Sequence, residues 1–294
     1  MRRSLLFLPG NSPVMLQNGA VMPADGLIMD LEDAVAPDQK DAARLLVTSA
    51  LRSLDYSQEI IVRINAPDSG HWQQDLSALV PCRPGAVMTT KSNVEAVKET
   101  AELLTELEQA NQIKPGTIGI IALIETALGV EQAYEIATAS ERVSALFLGA
   151  EDLAADLQCE RTKEGAEIFY SRSRLVLAAR AAGIDAIDTP FTDVQDDEGI
   201  ITDAELARSL GFSGKAAISP RHLSVINRVF SPQPEAIRSA LAVMAALEQG
   251  KREGKGAVSL DGKMIDAPIA ARAEQVVAAA KKLGLLPEWK CGMS

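Results

Sequence analysis

Eight short apolar runs dominate the sequence, and each one ends in polar residues, glycine or proline. Amphipathic helical patterns lie between most of them, so buried strands alternate with helices along the chain. This alternation indicates an α/β protein, and eight units over about 220 residues predict a closed (β/α)8 TIM barrel. The predicted strands are residues 4–10, 26–33, 59–65, 86–92, 119–126, 144–152, 185–193 and 215–220, and the predicted helices between them are 38–52, 93–111, 128–139, 165–182 and 202–210.

A doubly wound open sheet is the alternative fold. It is disfavoured because no G-x-G-x-x-G follows the first strand and because eight units suit barrel closure better. The chain also continues past the eighth strand, with helical patterns at 234–251 and 268–284 and a glycine-containing loop or hairpin between them. We therefore predict a barrel domain over residues 1–230 and a C-terminal helical extension over 231–294. The extension is expected to cap the barrel mouth or to swap onto a neighbouring subunit.

Charge and hydropathy exclude several classes of function. The formal net charge is −11, which argues against a nucleic-acid binder and against docking to anionic lipid. No apolar run reaches the ~18 residues of a transmembrane helix. The first run, Leu5 to Leu8, is broken by Pro9-Gly10 and is too short for a signal peptide. A cytoplasmic enzyme is therefore expected.

Cysteine and histidine carry little chemistry in this sequence. Cys82, Cys159 and Cys291 are scattered, so they predict a reducing compartment rather than a disulfide framework. Only two histidines are present, His71 and His222, and no ligand spacing surrounds them, which disfavours zinc. We expect both histidines in surface or loop positions and all three cysteines outside the chemistry.

Polar residues collect at the carboxyl ends of the predicted strands, where barrel enzymes place their active sites. Core packing alone does not explain why polar residues from so many strands meet at one end of the barrel. The residues are Asp30, Glu32, Asp33, Arg63, Asn65, Lys91, Glu125, Thr126, Gly149, Glu151, Asp152, Asp188, Thr189 and Ser219.

Glu125 and Asp152 follow adjacent strands, so their carboxylates can point to one place. Two carboxylates completed by water and substrate oxygens are a usual arrangement for Mg²⁺. The alternative is that each carboxylate caps the following helix or pairs with Arg63 or Lys91. Both interpretations stay open at this point.

Arg63 ends a very apolar strand and needs an anionic partner there. It either pairs structurally with Asp30 or Glu32 or anchors a substrate carboxylate or a developing oxyanion. Lys91 either forms a Schiff base, as in class I aldolases, or balances the acidic run Asp30-Leu31-Glu32-Asp33. That run is expected to orient the two basic residues and to hold water beside the metal.

The ordered motifs of the chain resemble those of the HpcH/HpaI aldolase/citrate lyase family. The motifs are RRSLLFLPG, DLEDAV, VRIN, ALIET, LGAEDL, ISPR and LDGKMID, and the resemblance runs from Arg2 to about Lys282. Within the family, the chain is most similar to the citrate lyase beta subunits and to the CitE-like malyl-CoA and citramalyl-CoA lyases.

The resemblance implies a TIM barrel with a C-terminal helical extension, assembled as a homotrimer or a hexamer. It matches the Mg²⁺ ligands to Glu125 and Asp152 and the anion-binding arginine to Arg63. It matches a catalytic aspartate, supplied to the neighbouring subunit's site, to Asp266. The acidic pair Glu32-Asp33 matches the supporting network. The resulting catalytic candidates are Arg63, Asp266 and Glu32, and the substrate-binding candidates are Arg63, Lys91, Gly149 and Ala150.

The sequence departs from the family pattern at two strand ends. Strand four ends in Thr89-Thr90-Lys91-Ser92, where relatives often have a Leu-Pro-Lys-Thr-like end. Strand eight ends in Ser219-Pro220-Arg221-His222, where relatives often have Asn or His, Pro and then Gln. These changes affect the expected thioester-binding details rather than the core chemistry.

The implied function is Mg²⁺-dependent cleavage of a 3-hydroxy-3-carboxyacyl thioester to an acetyl thioester and a 2-oxo acid. A citryl substrate yields oxaloacetate, a citramalyl substrate pyruvate and a malyl substrate glyoxylate. The sequence does not decide whether the thioester carrier is CoA or an acyl-carrier protein. It also leaves open whether the chain works alone or as a subunit of a complex. The alternatives are a thioester hydrolase, a class I aldolase using Lys91, and a non-catalytic scaffold subunit.

Overall fold

The computed structural model describes residues 1–253, 258–260 and 263–286, and it confirms the (β/α)8 barrel. Each strand pairs in parallel with the next, and the eighth strand closes the barrel on the first. The strands are β1 Ser4–Pro9, β2 Gly26–Asp30, β3 Glu59–Arg63, β4 Ala86–Thr89, β5 Gly119–Ile124, β6 Val143–Leu148, β7 Asp185–Asp188 and β8 Gly214–Ala217.

Helices follow the strands around the outside, and several were not predicted. Four of them, α1, α3, α7 and α10, were missed, and the predicted helix 128–139 is two short helices. The predicted helix 202–210 begins earlier because Asp196 accepts a hydrogen bond from the Gly199 N–H and caps it. The helices are α1 Pro13–Gly19, α2 Lys40–Ser53, α3 Trp72–Leu79, α4 Val94–Ala110, α5 Ala127–Glu131, α6 Ala133–Ala137, α7 Ala150–Asp156, α8 Phe169–Ala182, α9 Asp197–Leu210 and α10 Leu223–Phe230.

The barrel interior is aliphatic. The alternation of side chains along each strand decides which residues lie at its carboxyl end. Side chains of a strand point alternately inward and outward, so positions two residues apart share a face. The inward core includes Ile28, Ile61, Leu123 and Phe147. The next inward positions on these four strands, in the same order, are Asp30, Arg63, Glu125 and Gly149. The same periodicity that fills the core therefore brings these residues together at the carboxyl end of the barrel.

Asp188 points away from the barrel interior. Its neighbour Ile187 occupies the core, so Asp188 faces outward between β7 and the surrounding helices. There it binds Arg172 at 3.0 Å and Lys215 at 2.6 Å. All three side chains are fully buried. The expectation that Asp188 joins the active site is wrong, because the end of β7 presents Thr189 inward instead.

The described chain forms two compact units, Arg2–Arg228 and the residues from Val229 onward together with Met1. The second unit contains α11 Pro234–Arg252, the antiparallel hairpin β9 Val258–Leu260 with β10 Lys263–Ile265, and α12 Ala267–Lys282. Ala240, Val243 and Ala273 form its small core. The glycines of the predicted loop between the two helical patterns, Gly254, Gly256 and Gly262, lie outside the described residues, as does Cys291. None of the described helices is long and apolar enough to span a membrane.

Candidate active site

A cavity of about 450 Å³ opens at the carboxyl ends of the barrel strands. One part of its wall is apolar and the other carries charged and hydroxyl groups. Among the described residues, the charged ones comprise five carboxylates and a single guanidinium. The apolar wall includes Phe7, Met15, Leu123, Phe147 and Ile218, and the polar wall consists of Asp30, Asp33, Arg63, Glu125, Glu151, Asp152 and Thr189.

Glu125 and Asp152 lie side by side on this wall. Glu125 follows β5 and is only 3% exposed, and its Oε1 accepts a 2.6 Å hydrogen bond from the backbone N–H of Lys91. Asp152 is exposed and lies in the first turn of α7, because β6 ends at Leu148 rather than at residue 152. The Asp152 carboxyl is close enough to Glu125 to raise the pKa of Glu125. Thr126, rather than Glu125, caps α5, so the capping alternative does not hold for Glu125.

The pKa of Glu125 is raised to about 8 in the metal-free protein. Burial is the largest cause, and the nearby charges of Asp152 and Glu32 add to it, whereas the Lys91 N–H opposes it. Two adjacent carboxyls that cannot both ionise share one proton. A divalent cation would replace that proton and satisfy both groups.

The donor set fits Mg²⁺ better than a transition metal. Among the described residues, no group of three or more His, Cys, Asp and Glu side chains is arranged to hold a metal. A pair of carboxylates leaves most of the coordination sphere to water and substrate oxygens, which is the usual arrangement for Mg²⁺. The acidic wall also needs a cation before an anionic substrate can bind without repulsion.

Metal binding is expected to depend on pH. Because the pKa of Glu125 in the folded protein lies above its ordinary value of 4.5, the contribution of this group to stability is full at low pH and is lost as the pH rises through about 8. Without metal, the melting temperature should fall between about pH 5 and 8. Saturating Mg²⁺ should remove this fall, an effect on the order of 3 kcal/mol. Calorimetry with EDTA and with Mg²⁺ measures it, and parallel pH profiles would contradict it.

Arg63 both pairs structurally and lines the cavity. Its Nε and Nη2 bind Asp30 at 2.7 and 2.5 Å, and its Nη1 lies 3.1 Å from Asp33 and 3.4 Å from Glu32. The guanidinium also stacks over Phe7, 5.1 Å from the ring centroid. A guanidinium has five N–H donors, and three of them make these hydrogen bonds to Asp30 and Asp33, so donors remain for a ligand. The two alternatives for Arg63 are therefore compatible.

Asp30 organises the acidic turn that follows β2. Its two carboxylate oxygens accept hydrogen bonds from the N–H groups of Glu32 (2.8 Å) and Ala34 (3.0 Å) while both also bind Arg63. Lys40 donates to the Leu31 and Glu32 carbonyls at 2.9 and 2.6 Å. The cation that supports this turn is thus Lys40. It lies eight residues beyond Glu32 at the start of α2, and the strand-end search did not reach it.

Glu32 is half-buried and contacts Arg63. Burial is the main reason that its pKa is raised to about 7, and Asp33 and Asp30 add to the shift while Arg63 opposes it. Its side chain is not among the described groups that line the cavity. A catalytic role for Glu32 therefore stays a prediction, and the contacts favour support of Arg63.

Lys91 does not fit the Schiff-base alternative. Its side chain is exposed, whereas a reactive amine of that class is desolvated. It borders a separate cavity of about 320 Å³ with Asp68, Asn93 and Glu99. Its backbone, at φ +44°, brings its N–H to Glu125. The structure thus places the Lys91 backbone, rather than its amine, at the metal-binding candidates.

Gly149 and Ala150 begin α7 beside the metal-binding candidates. A Cβ on Gly149 would lie 2.8 Å from the Glu125 Cβ and 3.0 Å from its Oε2, so only glycine leaves room for this carboxylate. The Ala150 N–H donates to Thr189 Oγ1 at 3.3 Å. Both residues line the cavity, and their contact with substrate stays a prediction.

Gly149→Ala is expected to displace Glu125 and to weaken Mg²⁺ binding about tenfold, because the ligand loses its position while the fold persists. Isothermal titration measures the affinity. Gly119→Ala is the matched control. Gly119 begins β5, at the end of the strand away from Glu125, and the nearest atom to its added Cβ lies at 3.5 Å. Equal affinity in both variants would contradict the proposed crowding.

Several candidates lie away from the cavity. Asn65 is buried and binds Asp75 at 2.7 Å, and Ser219 caps a single turn that begins at Pro220. His222 is not a surface residue as expected. It is 1% exposed beside Phe191, and burial lowers its pKa. His71 is half-buried, Cys82 and Cys159 are free thiols, and Glu151 lines the cavity mouth opposite Arg161.

Asp266 lies in the second unit. It is exposed and is the N-cap of α12, where its Oδ1 accepts a hydrogen bond from the Ile269 N–H at 3.0 Å. Of its two carboxylate oxygens, only Oδ1 has a hydrogen-bond partner among the described residues. Its role in catalysis stays a prediction.

The sequence model of the HpcH/HpaI aldolase/citrate lyase family matches residues 3–220. The chain belongs to this family. The citrate lyase subunit beta of Leuconostoc mesenteroides subsp. cremoris is 40% identical over 279 residues, which cover 94% of this chain and 92% of that protein. The L-malyl-CoA/beta-methylmalyl-CoA lyase of Cereibacter sphaeroides is 34% identical over 304 residues, covering 96% and 95%.

A solved family structure matches the whole fold. The CitE protein of Mycobacterium tuberculosis, in complex with magnesium, acetoacetate and coenzyme A, superimposes with a TM-score of 0.77. It is 33% identical, and the match covers 95% of this chain and 98% of that one. The family assignment made from the ordered motifs is thereby confirmed, and the chain is a carbon–carbon lyase by its relatives.

Proposed function

We propose that this chain is a Mg²⁺-dependent lyase that cleaves a 3-hydroxy-3-carboxyacyl thioester of the citryl or citramalyl type. The observation that carries the proposal is the carboxyl pair Glu125–Asp152, which shares a cavity with Arg63. The ligands of the M. tuberculosis relative, magnesium, an oxo acid and coenzyme A, have the chemistry that this cavity suits.

Glu125 and Asp152 would hold the metal. When bound, Mg²⁺ supplies Lewis-acid polarisation of the substrate hydroxyl and of its neighbouring carboxylate. The bond between the carbinol carbon and the thioester α-carbon breaks as the hydroxyl passes its proton to solvent water in the cavity. The electron pair moves to the acetyl thioester as an enolate, and Arg63 stabilises the developing negative charge. Asp266 of a neighbouring subunit, which enters the step protonated, then gives its proton to the enolate carbon and is protonated again from solvent.

The same groups serve the reverse direction, in which Asp266 takes a proton from the acetyl methyl group. The substrates differ in one substituent on the carbinol carbon. A citryl thioester releases oxaloacetate and a citramalyl thioester releases pyruvate. The carrier is CoA or an acyl-carrier protein, and the sequence departures at Lys91 and Ser219 lie at the loops expected to touch it.

We propose that the protein is a cytoplasmic enzyme and that it assembles as a homotrimer or a hexamer. Large apolar side chains are exposed on the outer helices of the barrel unit, which supports contact with further copies. These are Leu128 at 63%, Tyr170 at 61% and Leu177 at 67% exposure. The free thiols Cys82 and Cys159 suit a reducing compartment.

The test is incubation of the purified protein with citryl-CoA, citramalyl-CoA and malyl-CoA, each with Mg²⁺ and with EDTA, and assay for 2-oxo acid. We expect Mg²⁺-dependent oxaloacetate or pyruvate. Glyoxylate alone would assign a malyl-CoA lyase, and free CoA without any oxo acid would assign a thioesterase. No product from the three CoA esters but turnover of a carrier-protein thioester would assign a complex subunit. Cleavage that survives EDTA would contradict the proposal.

A further inference from the structure

The carboxyl end of β7 is held by a buried amine on the outside of the barrel. Lys215 on β8 is fully buried, and its Nζ donates to Asp188 Oδ2 at 2.6 Å and to the Thr189 carbonyl at 2.7 Å. It also pairs with Asp203 of α9. Two hydrogen bonds and one ion pair thus hold this amine in place.

The charges around Lys215 balance within a closed set. Arg172 of α8, 0% exposed, binds Asp188 at 3.0 Å and Asp203 at 2.6 Å. Two cations thus face two carboxylates, as a buried ionic cluster requires. The cluster fastens β7 and β8 to α8 and α9.

Thr189, the residue after Asp188, connects this ion cluster to the cavity. Its carbonyl is held by Lys215, and its side chain points inward, where it lines the cavity wall. Its hydroxyl oxygen accepts the N–H of Ala150, the first residue of α7, at 3.3 Å. Asp152 lies two residues further on this helix.

Helix α7 needs such a contact, because its own N-cap supplies none. The N-cap residue is Gly149, which has no side chain to accept an N–H of the first turn. The glycine is required there because a Cβ would strike Glu125. The Thr189 hydroxyl instead accepts, from beside the neighbouring strand, the N–H of Ala150, one of the first-turn N–H groups that have no partner within the helix.

We propose that Thr189 and Lys215 are positioning residues for the metal site. Lys215 holds the Thr189 backbone, and Thr189 holds the start of α7 so that Asp152 stays beside Glu125. This inference rests on the proposed function in taking Glu125 and Asp152 as the metal ligands. Neither residue touches the metal in this scheme, so their effect is on affinity rather than on the donor set.

The test measures Mn²⁺ binding to the purified protein in the absence of substrate, with electron paramagnetic resonance as the readout. Thr189→Val removes the hydroxyl at constant shape and should weaken Mn²⁺ binding about tenfold. Thr189→Ser keeps the hydroxyl and should bind as the wild type does. Thr202→Val is the matched control, since Thr202 is exposed and its hydroxyl donates to the Glu198 carbonyl within α9. Wild-type affinity in Thr189→Val, or loss in Thr189→Ser equal to that in Thr189→Val, would overturn the proposal.

The amine is tested with its charge balance kept. Lys215→Met combined with Asp203→Asn leaves Arg172 and Asp188 as a neutral pair, so the variant is expected to fold. We expect weaker Mn²⁺ binding here too, with a higher Mg²⁺ concentration for half-maximal turnover. A lower melting temperature with unchanged Mn²⁺ affinity would show that Lys215 only stabilises the fold, and it would overturn the proposed positioning role of Lys215. If the wild type itself binds no Mn²⁺, the proposed function fails first, which separates the two results.

Discussion

Glu125→Gln is expected to abolish Mg²⁺-dependent cleavage, lowering kcat at least about a thousandfold. Glutamine has the shape of glutamate, and its amide oxygen can still accept the Lys91 N–H that holds Glu125 at 2.6 Å. The substitution therefore changes the charge of the ligand and little else. Isothermal titration should show the loss of Mg²⁺ binding that accounts for the loss of turnover.

The same variant is expected to be more stable than the wild type without metal. Burial and the nearby carboxylates hold the pKa of Glu125 at about 8, so above that pH the wild type keeps a buried, poorly compensated charge. A neutral amide has no such cost. Higher melting temperature with lost activity is a combination that simple unfolding cannot produce.

Asp156→Asn is the matched control for this experiment. Asp156 lies at the end of α7 and accepts the Ala127 N–H at 2.7 Å, a bond that asparagine can keep. It removes a carboxylate from the same helix as Asp152 but from outside the cavity lining. Normal Mg²⁺ affinity is expected. If Glu125→Gln retained more than about a tenth of wild-type kcat, Glu125 would not be a metal ligand.

The barrel was predictable because each buried strand is an apolar run with a turn signal after it. All eight strands lie within the predicted runs or one residue from them. The runs extend too far at their carboxyl ends, since residues such as Glu151 and Asp152 look like a strand end but begin α7. The missed helix α1 has local signals, a Ser12 cap and Pro13, but few core-facing residues.

The site was predictable where strand alternation decides direction. Arg63, Glu125 and Gly149 occupy inward positions and meet in one cavity. Prediction failed where direction depends on a neighbouring element. Asp188 is one residue out of phase and joins an external ion cluster, and the amine of Lys91 turns away because its backbone adopts a left-handed conformation. Thr189 and Lys215 act through contacts between elements that no local pattern encodes.

Asp266→Asn is the second substitution with a large expected effect. Asp266 caps α12, and asparagine caps helices about as well as aspartate, so the extension should keep its structure. Asparagine cannot carry a proton to or from carbon, so kcat should fall about a hundredfold to ten-thousandfold while Mg²⁺ affinity and melting temperature stay unchanged. Asp266→Ala is the contrast, because it should lose both the chemistry and about 1 kcal/mol of cap stability. Wild-type turnover in Asp266→Asn would show that another group moves the proton.

Mixing variants tests whether Asp266 serves a neighbouring subunit. Glu125→Gln lacks the metal ligand and Asp266→Asn lacks the acid, so each homo-oligomer should be inactive. If Asp266 acts across a subunit boundary, a mixed oligomer contains sites with Glu125 from one chain and Asp266 from another. Co-refolded or co-expressed variants should then recover part of the wild-type activity, up to about a quarter for random equal mixing at each two-chain site. An aspartate that served its own barrel would give no recovery, because every chain would carry one defect in its only site.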